Sequence, residues 1–174
     1  MRVKPLMKKQ THQGYADESA WARGQAWGLY GYTMCYRFTK DKRYLEQAKK
    51  IATFMLKHPN MPKDLVPYWD YNAPNIPNEE RDASAAAVLA SALYELSLYT
   101  GNGKTYKKTA DKIMVSLTNH YRALDGDYKG FLLLHSTGSK PAKSEVDVPL
   151  NYADYYYLEA LLRSKKLKEK KSLF

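Results

Sequence analysis

The 174 residues, 44% of them hydrophobic, suffice to bury one core, and no run approaches the 18 apolar residues of a membrane span. A single cysteine, Cys35, excludes an internal disulfide, and four scattered histidines show no zinc-ligand spacing, so neither a metal nor a cofactor is expected. The net charge of +10 lies largely in lysines at 40–50, 104–112 and 165–171, the pattern of solvated helix faces; this argues against nucleic acid or a membrane as partner and leaves a polyanionic carbohydrate compatible.

Residues 1–10 carry charge without helical periodicity or the apolar stretch of a leader, so they are read as a start outside the patterned domain of 11–174, with the compartment left unassigned. Apolar periodicity then predicts helices over about 17–38 and 42–57. A connection over 58–82 follows, where Pro59, Pro62, Pro67, Pro74 and Pro77 rule out a helix. Further helices are predicted over about 84–99, 104–121 and 151–164, with 165–174 as a stub of another hairpin. Asp17 or Ser19 is the expected cap of the first helix, since a short polar side chain accepts bonds from unpaired N–H groups.

These helices alternate in character. The first, third and fifth are rich in Ala, Gly, Tyr and Leu nearly all round, whereas the second and fourth carry one apolar stripe each, Tyr44–Ala48–Ile51–Met55 and Tyr106–Ala110–Ile113–Leu117. Leu29 and Tyr30 recur as Leu93 and Tyr94, and Tyr44, Ala48 and Ile51 recur as Tyr106, Ala110 and Ile113, a period of 62 to 64 residues. A repeated hairpin of inner and outer helix must stack on its neighbours to bury its apolar surface. The expected fold is all-α, an α/α toroid of which about half is present, with open apolar faces through which the chain could associate.

The segment Thr11–Trp27 concentrates two Trp, an Arg, two Gln and two acids about the start of an inner helix. Arg23 and Trp27 are i and i+4, so they stand on one face roughly 6 Å apart along the axis. Trp offers a stacking plane for a sugar ring and Arg a planar fork for a carboxylate or sulfate. Plainer roles stand beside these: Arg23 as internal partner of Asp17 or Glu18, Trp21 and Trp27 as packing residues, His12 and Gln13 as donors to loop backbone. A pocket Arg leaves its charge to ligand or water, while a packing Arg is neutralised by a buried acid.

Residues 11–31, Thr-His-Gln-Gly-Tyr-Ala-Asp-Glu-Ser-Ala-Trp-Ala-Arg-Gly-Gln-Ala-Trp-Gly-Leu-Tyr-Gly, resemble the hallmark stretch of unsaturated glucuronyl hydrolases, glycoside hydrolase family 88. Tyr68-Trp69-Asp70, Arg81–Ala87 and Ser144–Arg163 extend the resemblance over about 8–165, as to the C-terminal part of that family. It implies an (α/α)6 barrel and hydrolysis of the unsaturated uronic acid at the non-reducing end of oligosaccharides left by polysaccharide lyases. In that chemistry an Asp protonates the C4=C5 vinyl ether and assists water addition at C5, unlike the usual attack at the anomeric carbon. Gln13, Arg23 and Trp27 match as substrate-pocket residues, with His12 and Trp21 as weaker matches.

The family's two aspartates lie upstream of the His-Gln-Gly-Tyr motif, and neither is matched in this chain; Asp17, Asp70, Asp82 and Asp154 are not assigned the proton transfer. Ser136, Ser139 and Lys140, in the polar loop 134–143, are further candidates for holding a sulfate. Three readings follow: part of a glycosidase acting on unsaturated uronic-acid oligosaccharides, a non-catalytic sugar binder, or a helical-repeat interaction module.

Overall fold

The computed structural model describes residues 10–124 and 126–174; the unpatterned start at 1–9 lies outside the described residues. Five α-helices run over Ala22–Thr39 (α1), Lys42–Lys57 (α2), Ala83–Leu96 (α3), Gly103–Ser116 (α4) and Asn151–Lys168 (α5). None is long and apolar enough to cross a membrane.

Helix α1 starts at Ala22 and not near Asp17, because its approach is spent on pairing with the 58–82 connection. Ala22 N–H donates to the Trp69 carbonyl at 3.0 Å, Tyr71 N–H donates to the Ala20 carbonyl at 3.0 Å, and Trp21 faces Asp70 in an antiparallel bridge. Neither Asp17 nor Ser19 therefore caps the helix; Trp21 holds that position with no side-chain cap bond. Asp82 does cap α3, accepting the Ser84 and Ala85 amides. Helix α4 ends earlier than its periodicity predicts and passes into a π turn, Leu117–Tyr121, where the Thr118 hydroxyl donates to the Met114 carbonyl at 2.8 Å. At the other end, α5 runs on to Lys168 and the chain folds back to bury Leu173, so 165–174 is a helix end and a returning tail and not the stub of a hairpin.

The expected layering of inner and outer helices is present, although burial on most faces holds for α3 and not for α1 or α5, which bury five residues each. Helices α1, α3 and α5 form an inner layer in which α3 packs between α1 and α5, while α2 covers α1 and α4 covers α3. All fourteen residues of α3 are buried. Its alanines let the neighbouring helices approach, and Val88, Leu89, Leu93 and Leu96 interlock with them, each side chain contributing on the order of 1.5–3 kcal/mol on burial.

The three inner helices start at the same end of the molecule, where the 11–21, 58–82 and 122–150 connections gather: Ala22 bonds to Trp69, Ala83 to His135, and Asp154 near the start of α5 accepts the Leu132 and Leu133 amides. At the opposite end they are tied by charge. Arg163 pairs with Glu95 and Glu159, both at 3.3 Å, and Tyr30 donates to Glu159 at 3.0 Å.

Candidate functional site

The motif loop is folded around one carboxylate. Asp70, fully buried, accepts the Tyr15 amide at 2.9 Å, the Ser19 hydroxyl at 2.7 Å and the Asn72 amide at 2.8 Å. The loop doubles back tightly at Gly14, where a Cβ would come within 2.6 Å of Thr11 Oγ1. This brings Gln13 and the first turn of α1 against a strap formed by residues 134–148.

Arg23 is 3% exposed and meets the fully buried Asp82 at 2.9 Å. Its guanidinium also donates to the Thr137 and Gly138 carbonyls and, at 3.3 Å, to Ser84 Oγ. Trp21 and Tyr152 flank it, with ring centres 5.0 and 5.4 Å away. Of the two arrangements open to an arginine here, the structure holds the one neutralised by a buried acid, and that acid is neither Asp17 nor Glu18. Burial pushes the Asp82 carboxyl up from its ordinary value, against the pull of Arg23, the Ser84 hydroxyl and the Ala85 and Thr137 amides.

Gln13 Nε2 donates to the same Gly138 carbonyl at 2.9 Å, so Gln13 and Arg23 converge on one turn of the strap. Trp27 lies one turn further along α1, half-buried, with its ring edge-on to Tyr156 at 4.9 Å; Tyr156 in turn stands edge-on to Tyr30 at 5.3 Å. Trp21 lies across the bare backbone of Gly24, and His12 is exposed.

The three loop candidates separate. Ser136 is fully buried and its hydroxyl has no hydrogen-bond partner, which removes it from the ligand-facing surface. Ser139 is half-buried and pairs its backbone with Ser144. Lys140 bonds Glu79 at 2.6 Å and also Glu80, so its charge is already compensated, contrary to the expected free cation for a sulfate. It lies instead beside an open cavity of about 250 Å³ lined by Tyr15, Trp69, Asn75 and Pro141.

The other two carboxylates left without the proton transfer are also engaged: Asp17 accepts the Thr11 amide, and Asp154 two amides of the 122–150 connection. Among the described residues no group of three His, Cys, Asp or Glu stands ready to hold a metal ion. Sequence reading missed the roles of Asp82, Thr137, Gly138 and Tyr152. Only Asp82 had a local signal, a short acid two residues before Ser84 at a helix start.

Inner and outer helices stacked as hairpins, with one loop-covered end, define the α/α toroid class. The chain is 51% identical over 160 residues to an unsaturated glucuronyl hydrolase of Formosa agariphila, an alignment covering 91% of this chain and 40% of that protein. The crystal structure of an unsaturated glucuronyl hydrolase specific for heparin superposes with a TM-score of 0.93 at 51% identity, covering 97% of this chain and 46% of that one. A Streptococcus agalactiae unsaturated glucuronyl hydrolase variant, crystallised with dGlcA-GalNAc6S, superposes at 0.81 with 36% identity, covering 92% and 43%. No protein-family model matches. By sequence and fold the chain is a relative of the unsaturated glucuronyl hydrolases, and it spans about two fifths of the length of the curated relatives it matches.

Proposed function

We propose that this chain is the C-terminal part of an (α/α)6 unsaturated glucuronyl hydrolase, that it supplies one wall of the pocket for a non-reducing-end unsaturated uronate, and that alone it binds this sugar without hydrolysing it. The observation that carries the reading is the likeness of nearly the whole chain to unsaturated glucuronyl hydrolases; Arg23, neutralised by Asp82, and Gln13 act in it by holding the Thr137–Gly138 turn at the end where α1, α3 and α5 begin. Inner helices that start together direct the positive ends of their dipoles toward one mouth, which favours an anionic ligand. In this reading Trp27 is the stacking wall and Gln13 and Arg23 fix the strap over the ring, with His12, Trp21 and Ser139 at the rim.

The proton transfer to the vinyl ether belongs to aspartates outside this chain. Asp70 and Asp154 each accept hydrogen bonds from groups of the protein, which favours the ionised carboxylate over a proton donor, and Asp82 is fully buried against Arg23, out of reach of a ligand. Titration of the chain with dGlcA-GalNAc6S in a calorimeter is expected to show saturable binding, while the vinyl-ether absorbance stays constant. Loss of that absorbance in proportion to protein, abolished by replacing one Asp of this chain, would show that the chain holds its own acid. Absence of binding would remove the sugar-pocket reading.

A further inference from the structure

The 134–148 strap has a shape that its own sequence does not favour. His135, Lys143, Glu145 and Asp147 all stand in the left-handed region, with φ of 60, 52, 52 and 55°. None is a glycine, so this backbone persists only where its surroundings impose it. Two short pairings hold it to itself, Ser136 with Val148 and Ser139 with Ser144. Several bonds fix it to the body of the protein, among them Ala83 N–H to the His135 carbonyl and the Thr137 hydroxyl to the Arg81 carbonyl; at its middle the Arg23 guanidinium takes two successive carbonyls, Thr137 and Gly138, while Asp82 holds the guanidinium from behind and accepts the Thr137 amide. Asp82 is itself fixed, by the Ser84 hydroxyl and by the first amides of α3.

We infer that Asp82 is a positioning residue for sugar binding: through Arg23, and through the Thr137 amide that it accepts itself, it sets the height of the Thr137–Gly138 turn over the starts of the inner helices. This rests on the sugar-pocket reading above. Asp82 then has two separable duties, because one carboxylate oxygen caps α3 and the other faces Arg23. The duties respond oppositely to two substitutions. Asparagine is as good an N-cap as aspartate but has no charge for Arg23. Glutamate keeps the charge, but its longer arm is not an N-cap.

The experiment compares Asp82→Asn and Asp82→Glu in the full chain by calorimetric binding of dGlcA-GalNAc6S and by amide hydrogen exchange. Asp82→Asn is expected to weaken binding about tenfold and to speed exchange at Ser136, Ser139 and Ser144, with α3 amides unchanged. Asp82→Glu is expected to stay within about threefold of wild type while exchange at the start of α3 rises. The reverse ranking, Asn harmless and Glu damaging, would make Asp82 a helix cap only and overturn the inference. So would strap exchange that rises in Asp82→Asn with binding unaltered. If Asp82→Asn does not fold, Ser84→Ala, which removes a hydroxyl bonded to both the carboxylate and the guanidinium and leaves both charges, is expected to give a two- to threefold loss with the same local change in exchange; wild-type behaviour there also overturns it. A wild-type chain that takes up no disaccharide ends the sugar-pocket reading and the positioning role with it, while the exchange pattern still reports separately whether Asp82 holds the strap.

Discussion

Single side chains tie the outer end of the strap by charge, as Arg23 ties its middle. Glu79 accepts from Lys140 Nζ at 2.6 Å, from the Trp69 indole at 2.8 Å and from the Asn75 amide at 3.2 Å. Burial pushes the Glu79 carboxyl up, yet these donors together outweigh it, Lys140 first, and bring it down from 4.5 to about 2. A depressed folded pKa contributes stability that is complete above the unfolded value and is lost as pH falls through the folded one, here between about 4.5 and 2. Lys140→Met is therefore expected to lower the melting temperature at neutral pH, and the gap to wild type is expected to close as pH falls toward 2. Thermal melts from pH 7 to pH 2 check this. A gap that stays constant would mean that Lys140 acts through packing of its stem on Trp69 and not through charge.

Among the elements, α1 carries three glycines, two of them in opposite situations. A Cβ on Gly24 would lie 2.5 Å from Trp21 Cε3, whereas one on Gly31 meets nothing within 4 Å. Alanine in a helix interior is more stable than glycine by roughly 0.5–1 kcal/mol. Gly31→Ala should raise the melting temperature by about 1–4 °C for a chain of this size, and Gly24→Ala should lower it by displacing Trp21; calorimetric melts of the two variants decide. The same helix marks where sequence reading stops. Its end near Phe38, its place in the inner layer and the stripe Arg23–Trp27–Tyr30 follow from a 3.6-residue period, and so does the covering role of α2 and α4. Its start does not, because Ala20 and Ala22 are claimed by the backbone of Tyr71 and Trp69, about 50 positions on. Nor does the partner of Arg23: local acids at 17 and 18 were the natural candidates, and Asp82 lies 59 positions away. The strap is still less legible, since its left-handed residues are imposed by contacts from elsewhere in the chain.

The molecule as a whole is open on the side of α5. Tyr155, Leu158 and Leu162 follow one another at spacings of three and four along one face, 59, 52 and 52% exposed, with Leu161 beside them at 41%. Helix α3 is enclosed by α1, α4 and α5, whereas α5 has close helical packing mainly on its α3 side. A contiguous apolar stripe of this kind associates in water, because covering it releases apolar surface. The net charge of +10 opposes the approach of two copies, so the balance depends on salt in a way that identifies the driving force. If apolar contact drives association, added salt screens the repulsion and strengthens it; if charge pairing drives it, salt weakens it. Sedimentation velocity of the chain is expected to show species that grow with protein concentration and with salt. Leu158→Glu combined with Leu162→Lys places charges at two exposed positions that make no core contact, so the melting temperature should barely change while the chain sediments as a monomer. A wild-type chain that is monomeric at every concentration and salt level would show that the α5 face is tolerated in water as it stands.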